Sequence, residues 1–160
     1  MTLREILEVA VQMEADGIKF YAKAAENAPD EKSKELLLSL SSWESKHYEQ
    51  FSKIKDEVVA SSEAIVSPDG QASLYLEAFV TGAVFDANAN PFEYLNKDTE
   101  IPDILKIAIS LEKDAVCCYS GIKMMVADEQ SKSKVDQIIK EEMEHIKILS
   151  DLLKEQTVKL

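Results

Sequence analysis

Glu44-Ser45-Lys46-His47 and Glu142-Met143-Glu144-His145 contain both of the chain's histidines, and each histidine stands three residues after a glutamate. On a helix, positions three apart are neighbours on one face, so each pair offers a carboxylate and an imidazole to the same point in space. Mixed oxygen and imidazole donors suit iron or manganese, and zinc accepts them without redox chemistry. The alternative is an acidic helix surface with a core histidine. Against it, Glu44 follows Leu37 and Leu40 by seven and four residues, which places its carboxylate on the apolar stripe of the helix. A buried carboxylate needs a partner.

The two motifs belong to a longer repeat. Displacing the chain by 98 residues superimposes Ile6, Leu7, Ala10, Glu14, Asp16, Tyr21, Asp30, Ser33, Glu44 and His47 on identical residues at Ile104, Leu105, Ala108, Glu112, Asp114, Tyr119, Asp128, Ser131, Glu142 and His145. Each copy reads as a helical hairpin. Glu14 and Glu44 lie fifteen residues to either side of Pro29, and Glu112 and Glu142 fifteen to either side of Ala127. With a rise of about 1.5 Å per residue, each pair sits roughly 22 Å from its turn, at one level of its hairpin. Four glutamates and two histidines can then converge.

One Glu from each of two helices, with Glu-x-x-His from each of the other two, is the ligand pattern of dinuclear carboxylate bundles. Glu44 and Glu142 are the candidates to bridge two ions about 3.5–4 Å apart, because a carboxylate has two oxygens. Glu14 and Glu112 would close the ends with His47 and His145, the pairing being left open by sequence. Tyr21 and Tyr119, each seven residues after Glu14 or Glu112, can reach a ligand carboxylate with their hydroxyls or serve as core tyrosines. Asp16 and Asp114 point about 200° away from those glutamates. They are expected to make surface salt bridges, the alternative being to orient a histidine on a neighbouring helix.

The elements that must hold this constellation are legible from caps and periodicity. Thr2-Leu3-Arg4-Glu5 has capping-box spacing and opens a helix over about 3–27, whose stripe is Leu3, Ile6, Leu7, Ala10, Met13, Gly17, Phe20 and Ala24. A second helix runs from Pro29-Asp30 to about Ala60 with Leu36, Leu37, Leu40, Trp43, Phe51, Ile54 and Val58 inward. Residues 61–103 form a long crossover. In it Ser67-Pro68-Asp69-Gly70 is a turn, Ser73 caps a helix to about Asp86 with Leu74, Ala78, Thr81 and Phe85 on its stripe, and Asn90-Pro91-Phe92-Glu93 starts a short helix. A third long helix follows Pro102 with Leu105, Ala108, Leu111, Ala115 and Ile122 inward. Asp128 caps a fourth with the stripe Val135, Ile138, Ile139, Ile148, Leu149 and Leu152, and the tail frays from Thr157. The result is one domain: hairpin one over 3–60, the crossover, and hairpin two over 104–156.

A chain of 160 residues, 46% hydrophobic with four Gly and four Pro, suits a single helix-rich core. Its net charge of −12 disfavours nucleic acid and acidic membrane surfaces. No apolar run approaches the roughly 20 residues that span a bilayer, and the N-terminus opens a helix and not a signal peptide, so a cytoplasmic location is expected. Cys117 and Cys118 are adjacent, without a Cys-x-x-Cys pair, and read as small packing residues, with a redox role as the alternative.

The segments Leu105-Lys106-Ile107-Ala108-Ile109-Ser110-Leu111-Glu112-Lys113-Asp114 and Glu141-Glu142-Met143-Glu144-His145 resemble the rubrerythrin-like branch of the ferritin-like superfamily. The likeness extends over both hairpins and Tyr75-Leu76-Glu77-Ala78-Phe79. It implies an all-α, ferritin-like four-helix bundle with a non-haem di-iron centre that reacts with hydrogen peroxide or dioxygen, as a peroxidase or oxidase. Its ligands would be Glu14, Glu44, His47, Glu112, Glu142 and His145. Two departures stand out. The paired Cys-x-x-Cys motifs of a rubredoxin domain are absent, so electrons would come from an external rubredoxin-like donor. The extra Glu three residues after the helix-three ligand is here Ala115, which leaves a ligand set closer to that of bacterioferritin. The competing expectations are a ferroxidase or iron-storage protein of that type, in which Met143 matches a haem-ligand position, and a non-catalytic metal-binding structural bundle. The long crossover between like hairpins further suggests a homodimer, with domain swapping as one way to make it.

Overall fold

A computed structural model describes residues 2–60, 70–82, 95 and 99–158. It is all-α, with helices α1 (Leu3–Glu26), α2 (Glu31–Ala60), α3 (Gln71–Gly82), α4 (Ile101–Met125) and α5 (Glu129–Val158). Local chemistry sets the starts of the long helices. Thr2 Oγ1 accepts the Glu5 N–H at 3.2 Å while the Glu5 carboxylate accepts the Thr2 N–H at 2.8 Å, the reciprocal box expected at α1. At α2 the Asp30 carboxylate accepts the Ser33 N–H at 2.8 Å, and at α5 Asp128 accepts that of Ser131 at 2.7 Å. The repeat thus extends to the caps. At α4, Pro102 sits in the first turn, where a missing N–H leaves no helical bond unmade.

The long helices pack as two antiparallel hairpins, α1 with α2 and α4 with α5. Lys32 with Glu155 at 2.8 Å and Lys134 with Glu57 at 3.7 Å link opposite ends of α2 and α5, so those helices also run antiparallel. The buried side chains fall into two clusters. One holds Leu7, Ala10, Phe51, Ile54, Ile122 and Ile138; the other holds Phe20, Leu37, Leu40, Leu105, Leu149 and Leu152. Each such Leu, Ile or Phe side chain stabilises the fold by roughly 1.5–3 kcal/mol when fully buried. Between the clusters lies a polar layer, closed above and below by hydrocarbon.

Helix α3 packs on α4 through Ala72 and Leu76, both essentially inaccessible, while Leu74 and Ala78 are exposed. The stripe read as Leu74 and Ala78 is therefore displaced by two positions. Ser73 lies inside this helix and is not its cap, because the chain enters it from Gly70, whose φ of 68° lies in the left-handed region that glycine tolerates. Thr81 beyond its backbone, the remainder of the predicted helix to Asp86, the Ser67-Pro68-Asp69 part of the turn and the Asn90-Pro91-Phe92-Glu93 start fall outside the described residues. The Tyr75 hydroxyl donates to the Cys117 carbonyl at 3.1 Å.

Gly121 lets α3 approach. A Cβ there would come within 2.8 Å of Leu76 Cδ2 and 3.0 Å of Tyr75 Cδ1. Gly121→Val is expected to lower stability by about 1–3 kcal/mol through overpacking, and Leu76→Ala should recover part of that loss in a double-mutant cycle read by urea unfolding. Additive losses would show that Gly121 does not act through Leu76.

Three further expectations are corrected. Cys118 is fully buried but Cys117 is exposed, so only the first is a packing residue; both thiols are free. Burial, with Cys117 and Asp114 nearby, pushes the Cys118 thiol up to about 12. Neither Asp16 nor Asp114 makes a surface salt bridge among the described residues: Asp16 accepts from Gln12 Nε2 at 2.9 Å, and Asp114 Oδ2 is buried without a hydrogen-bond partner. The last helix does not fray at Thr157 but continues to Val158, with Thr157 Oγ1 bonded to the Leu153 and Lys154 carbonyls. No helix among the described residues is long and apolar enough to cross a membrane.

Candidate metal centre

The polar layer consists of Glu14 from α1, Glu44 and His47 from α2, Glu112 from α4, and Glu142 and His145 from α5, none more than 4% exposed. The six residues singled out in the sequence are brought together. Their atoms form two groups of four, Glu14, Glu44, His47 and Glu142 in one, and Glu44, Glu112, Glu142 and His145 in the other, each with its donor atoms within 4.8 Å of one another. Glu44 and Glu142 are common to both.

The carboxylates of these shared residues lie across the gap between the two histidines. Glu142 Oε1 is 2.9 Å from His47 Nδ1, and its Oε2 is 2.7 Å from His145 Nδ1. Glu44 repeats the arrangement more loosely, with Oε2 3.8 Å from His47 Nδ1 and Oε1 3.3 Å from His145 Nδ1. At the ends, Glu14 Oε2 is 3.7 Å from His47 Nδ1, and Glu112 Oε1 is 3.6 Å from His145 Nδ1. The pairing left open by sequence is thus Glu14 with His47 and Glu112 with His145.

Whether these residues fit metal can be judged from their unmet polar atoms. Glu14 Oε2, Glu44 Oε1, both Glu142 oxygens and both histidine Nδ1 atoms are buried without a hydrogen-bond partner. Leaving one such atom unpaired costs about 1–3 kcal/mol, more when charged. Six of them converging on one layer is the donor set two divalent cations would satisfy.

The outer atoms, by contrast, are held. The Tyr21 hydroxyl donates to Glu112 Oε1 and the Tyr119 hydroxyl to Glu14 Oε1, so each tyrosine serves the glutamate of the other hairpin. Seven residues further along α1 meets seven residues earlier along α4, as antiparallel helices require. His47 Nε2–H donates to Glu141 Oε2 at 2.7 Å, and Trp43 stacks on the His145 ring. Neither role is apparent from residue type or periodicity, since Glu141 stands in an acidic run and Trp43 on an apolar stripe. The positional signal was available: each immediately precedes a shared glutamate.

Gly17 is a third residue whose role emerges only in three dimensions. A Cβ at this position would come 3.2 Å from Glu44 Cγ. Beside it is a cavity of about 30 Å³, lined by Glu14, Gly17, Tyr21, Glu44, Glu112 and Tyr119. A guest the size of water fits there.

Without metal, the layer takes up protons. Burial, reinforced by Glu44 and Glu142, raises Glu14 well above the usual carboxyl range, and burial pushes Glu112 up to about 8. Burial also works against the charged forms of Glu44, His47 and His145, but their mutual attraction outweighs it. Glu44 is held down at about 2, while the glutamates raise His47 to about 10 and His145 to about 12. Burial and the adjacent glutamates keep both tyrosine hydroxyls protonated far above their usual range.

A family model for the ferritin-like domain matches residues 2–155. A solved structure from Thermotoga maritima, provisionally described as a ferritin-like diiron-carboxylate protein, is similar at a TM-score of 0.77 and 28% identity, over 98% of this chain and 97% of that one. An uncharacterized protein of Archaeoglobus fulgidus is 40% identical over 52 residues, 32% of this chain and 81% of that protein.

Proposed function

The chain belongs to the ferritin-like domain family, and from that premise we propose that it is a non-haem di-iron oxidoreductase of rubrerythrin type. Its substrate is hydrogen peroxide or dioxygen, and its reductant a separate rubredoxin-like protein. The observation that carries this reading is the pair of four-residue groups sharing Glu44 and Glu142 beside a cavity of about 30 Å³. Two ferrous ions bound there would supply an oxidant with two electrons.

The chain's own part is positional. Glu44 and Glu142 offer one oxygen toward each histidine, Tyr119 holds Glu14 Oε1 and leaves its Oε2 toward His47, and Tyr21 holds the Glu112 oxygen that lies nearest His145. The apolar clusters on either side bury the layer, leaving none of its six residues more than 4% exposed. Gly17 leaves Glu44 room against α1. A cavity of this size favours a diatomic or peroxide over an organic substrate.

The protein, reduced anaerobically and loaded with two ferrous ions per chain, should be oxidised by hydrogen peroxide in one rapid turnover followed in stopped-flow absorbance. It should then stall until a rubredoxin-like donor is added. His47→Ala and His145→Ala should each slow the oxidation by at least the roughly 10–100-fold typical of losing an outer partner. Oxidation no faster than that of free ferrous iron would refute the oxidoreductase. Continued accumulation of ferric iron beyond two ions per chain would replace it with the storage reading.

A further inference from the structure

The 98-residue repeat maps every member of the polar layer onto another member, but it fails at the position just before the shared glutamates, where Trp43 corresponds to Glu141. Each of these side chains acts on the histidine of the opposite hairpin, and they act differently. Glu141 Oε2 accepts the Nε2–H of His47 at 2.7 Å, and its Oε1 accepts from Gln137 Nε2 at 2.9 Å. Trp43 lies flat on His145, with ring centroids 5.1 Å apart and planes 9° from parallel.

Among the described residues, the carboxylates within ion-pair distance of His145 are Glu44, Glu112 and Glu142, all on the Nδ1 side. An indole face has no oxygen to accept the remote N–H. A carboxylate on the far nitrogen of a histidine fixes its tautomer, fixes the ring's orientation and makes the inward nitrogen a stronger donor. His47 has that support. His145 has stacking in its place.

We propose that the two metal positions are unequal: the Glu14–His47 position takes its ion first and more tightly, with Glu141 as its positioning residue, and the Glu112–His145 position fills second beneath Trp43. The proposal rests on the metal-binding reading above and concerns the order of loading. Trp43 is the chain's only tryptophan, so its emission reports on the second position without a label.

The test titrates the metal-free full chain with Zn(II), followed by calorimetry and Trp43 emission, and with Mn(II), followed by electron paramagnetic resonance. Two steps are expected, separated by roughly 10–100-fold in affinity, the usual contribution of an outer partner. One Mn(II) per chain should give an isolated-ion spectrum and two a coupled pair, and the Trp43 change should accompany the second Zn(II). Glu141→Leu should weaken the first step by roughly 10–100-fold and spare the second, while Glu141→Gln, which keeps an acceptor oxygen, should recover part of the loss. The Glu141 side chain is 42% exposed, so neither change threatens the core. Two ions binding in a single step, or Glu141→Leu weakening neither step or both equally, would overturn the inequality and leave the dinuclear centre standing. Binding of neither metal would overturn both.

Discussion

Glu142→Ala is expected to empty both metal positions together, taking the protein from two ions per chain to none, whereas Glu14→Ala should empty one. The difference follows from the Glu142 carboxylate, whose two oxygens lie 2.9 Å from His47 Nδ1 and 2.7 Å from His145 Nδ1. Glu14 approaches only His47, at 3.7 Å. Removing Glu142 also strips two buried histidines of the carboxylate nearest their Nδ1 atoms, a change that destabilises by about 3–5 kcal/mol in comparable buried pairs. Glu142→Gln separates the two effects: it keeps the side chain's shape and one acceptor oxygen but not the second ligating oxygen. Elemental analysis after dialysis, with circular dichroism to establish that the bundle is intact, reads the outcome. A folded Glu142→Ala protein that retains one ion would show that Glu142 is not shared.

The second large effect is on pH. His47, His145 and Glu112, at about 10, 12 and 8, all hold protons at pH 7 in the metal-free protein, and Glu14 is shifted in the same direction. Each must release its proton to ligate, because histidine binds metal through a neutral nitrogen and glutamate as the carboxylate. Loading two divalent ions at pH 7 should therefore release at least three protons per chain. The product of the two association constants should fall about a thousandfold or more for each pH unit lowered between pH 7.5 and 6. Above about pH 8 the slope should diminish as Glu112 ionises unaided. Zn(II) titration in weakly buffered solution with a pH-stat counts the protons directly. Release of one proton or fewer would mean that the metal does not replace the protons of this layer.

Much of the arrangement was legible because the sequence carries it twice. The six layer residues stand out through the repeat, the Glu-to-His spacing and equal distances from the two turns, all of which are local helical geometry. What escaped depends on how helices rotate against one another. Glu141 resembles any surface glutamate until α5 is set beside α2, and Trp43 resembles any core aromatic until His145 is found beneath it. The face of α3 was misread for a related reason: with Gly70 setting its start and Gly121 providing its seat on α4, the buried pair became Ala72 and Leu76 instead of Leu74 and Ala78.

Each four-residue metal position draws three of its members from one hairpin and the fourth, Glu142 or Glu44, from the other. The outer glutamates are in turn fastened by tyrosines 91 and 105 residues away along the chain. A hairpin by itself therefore presents an incomplete position, and ion capture is available only to the docked pair. By mass action, whatever free energy an ion gains on binding is added to the free energy that keeps the hairpins together. The ions then act as a clasp across the seam between the two halves, tightening with ion concentration and loosening when a chelator competes.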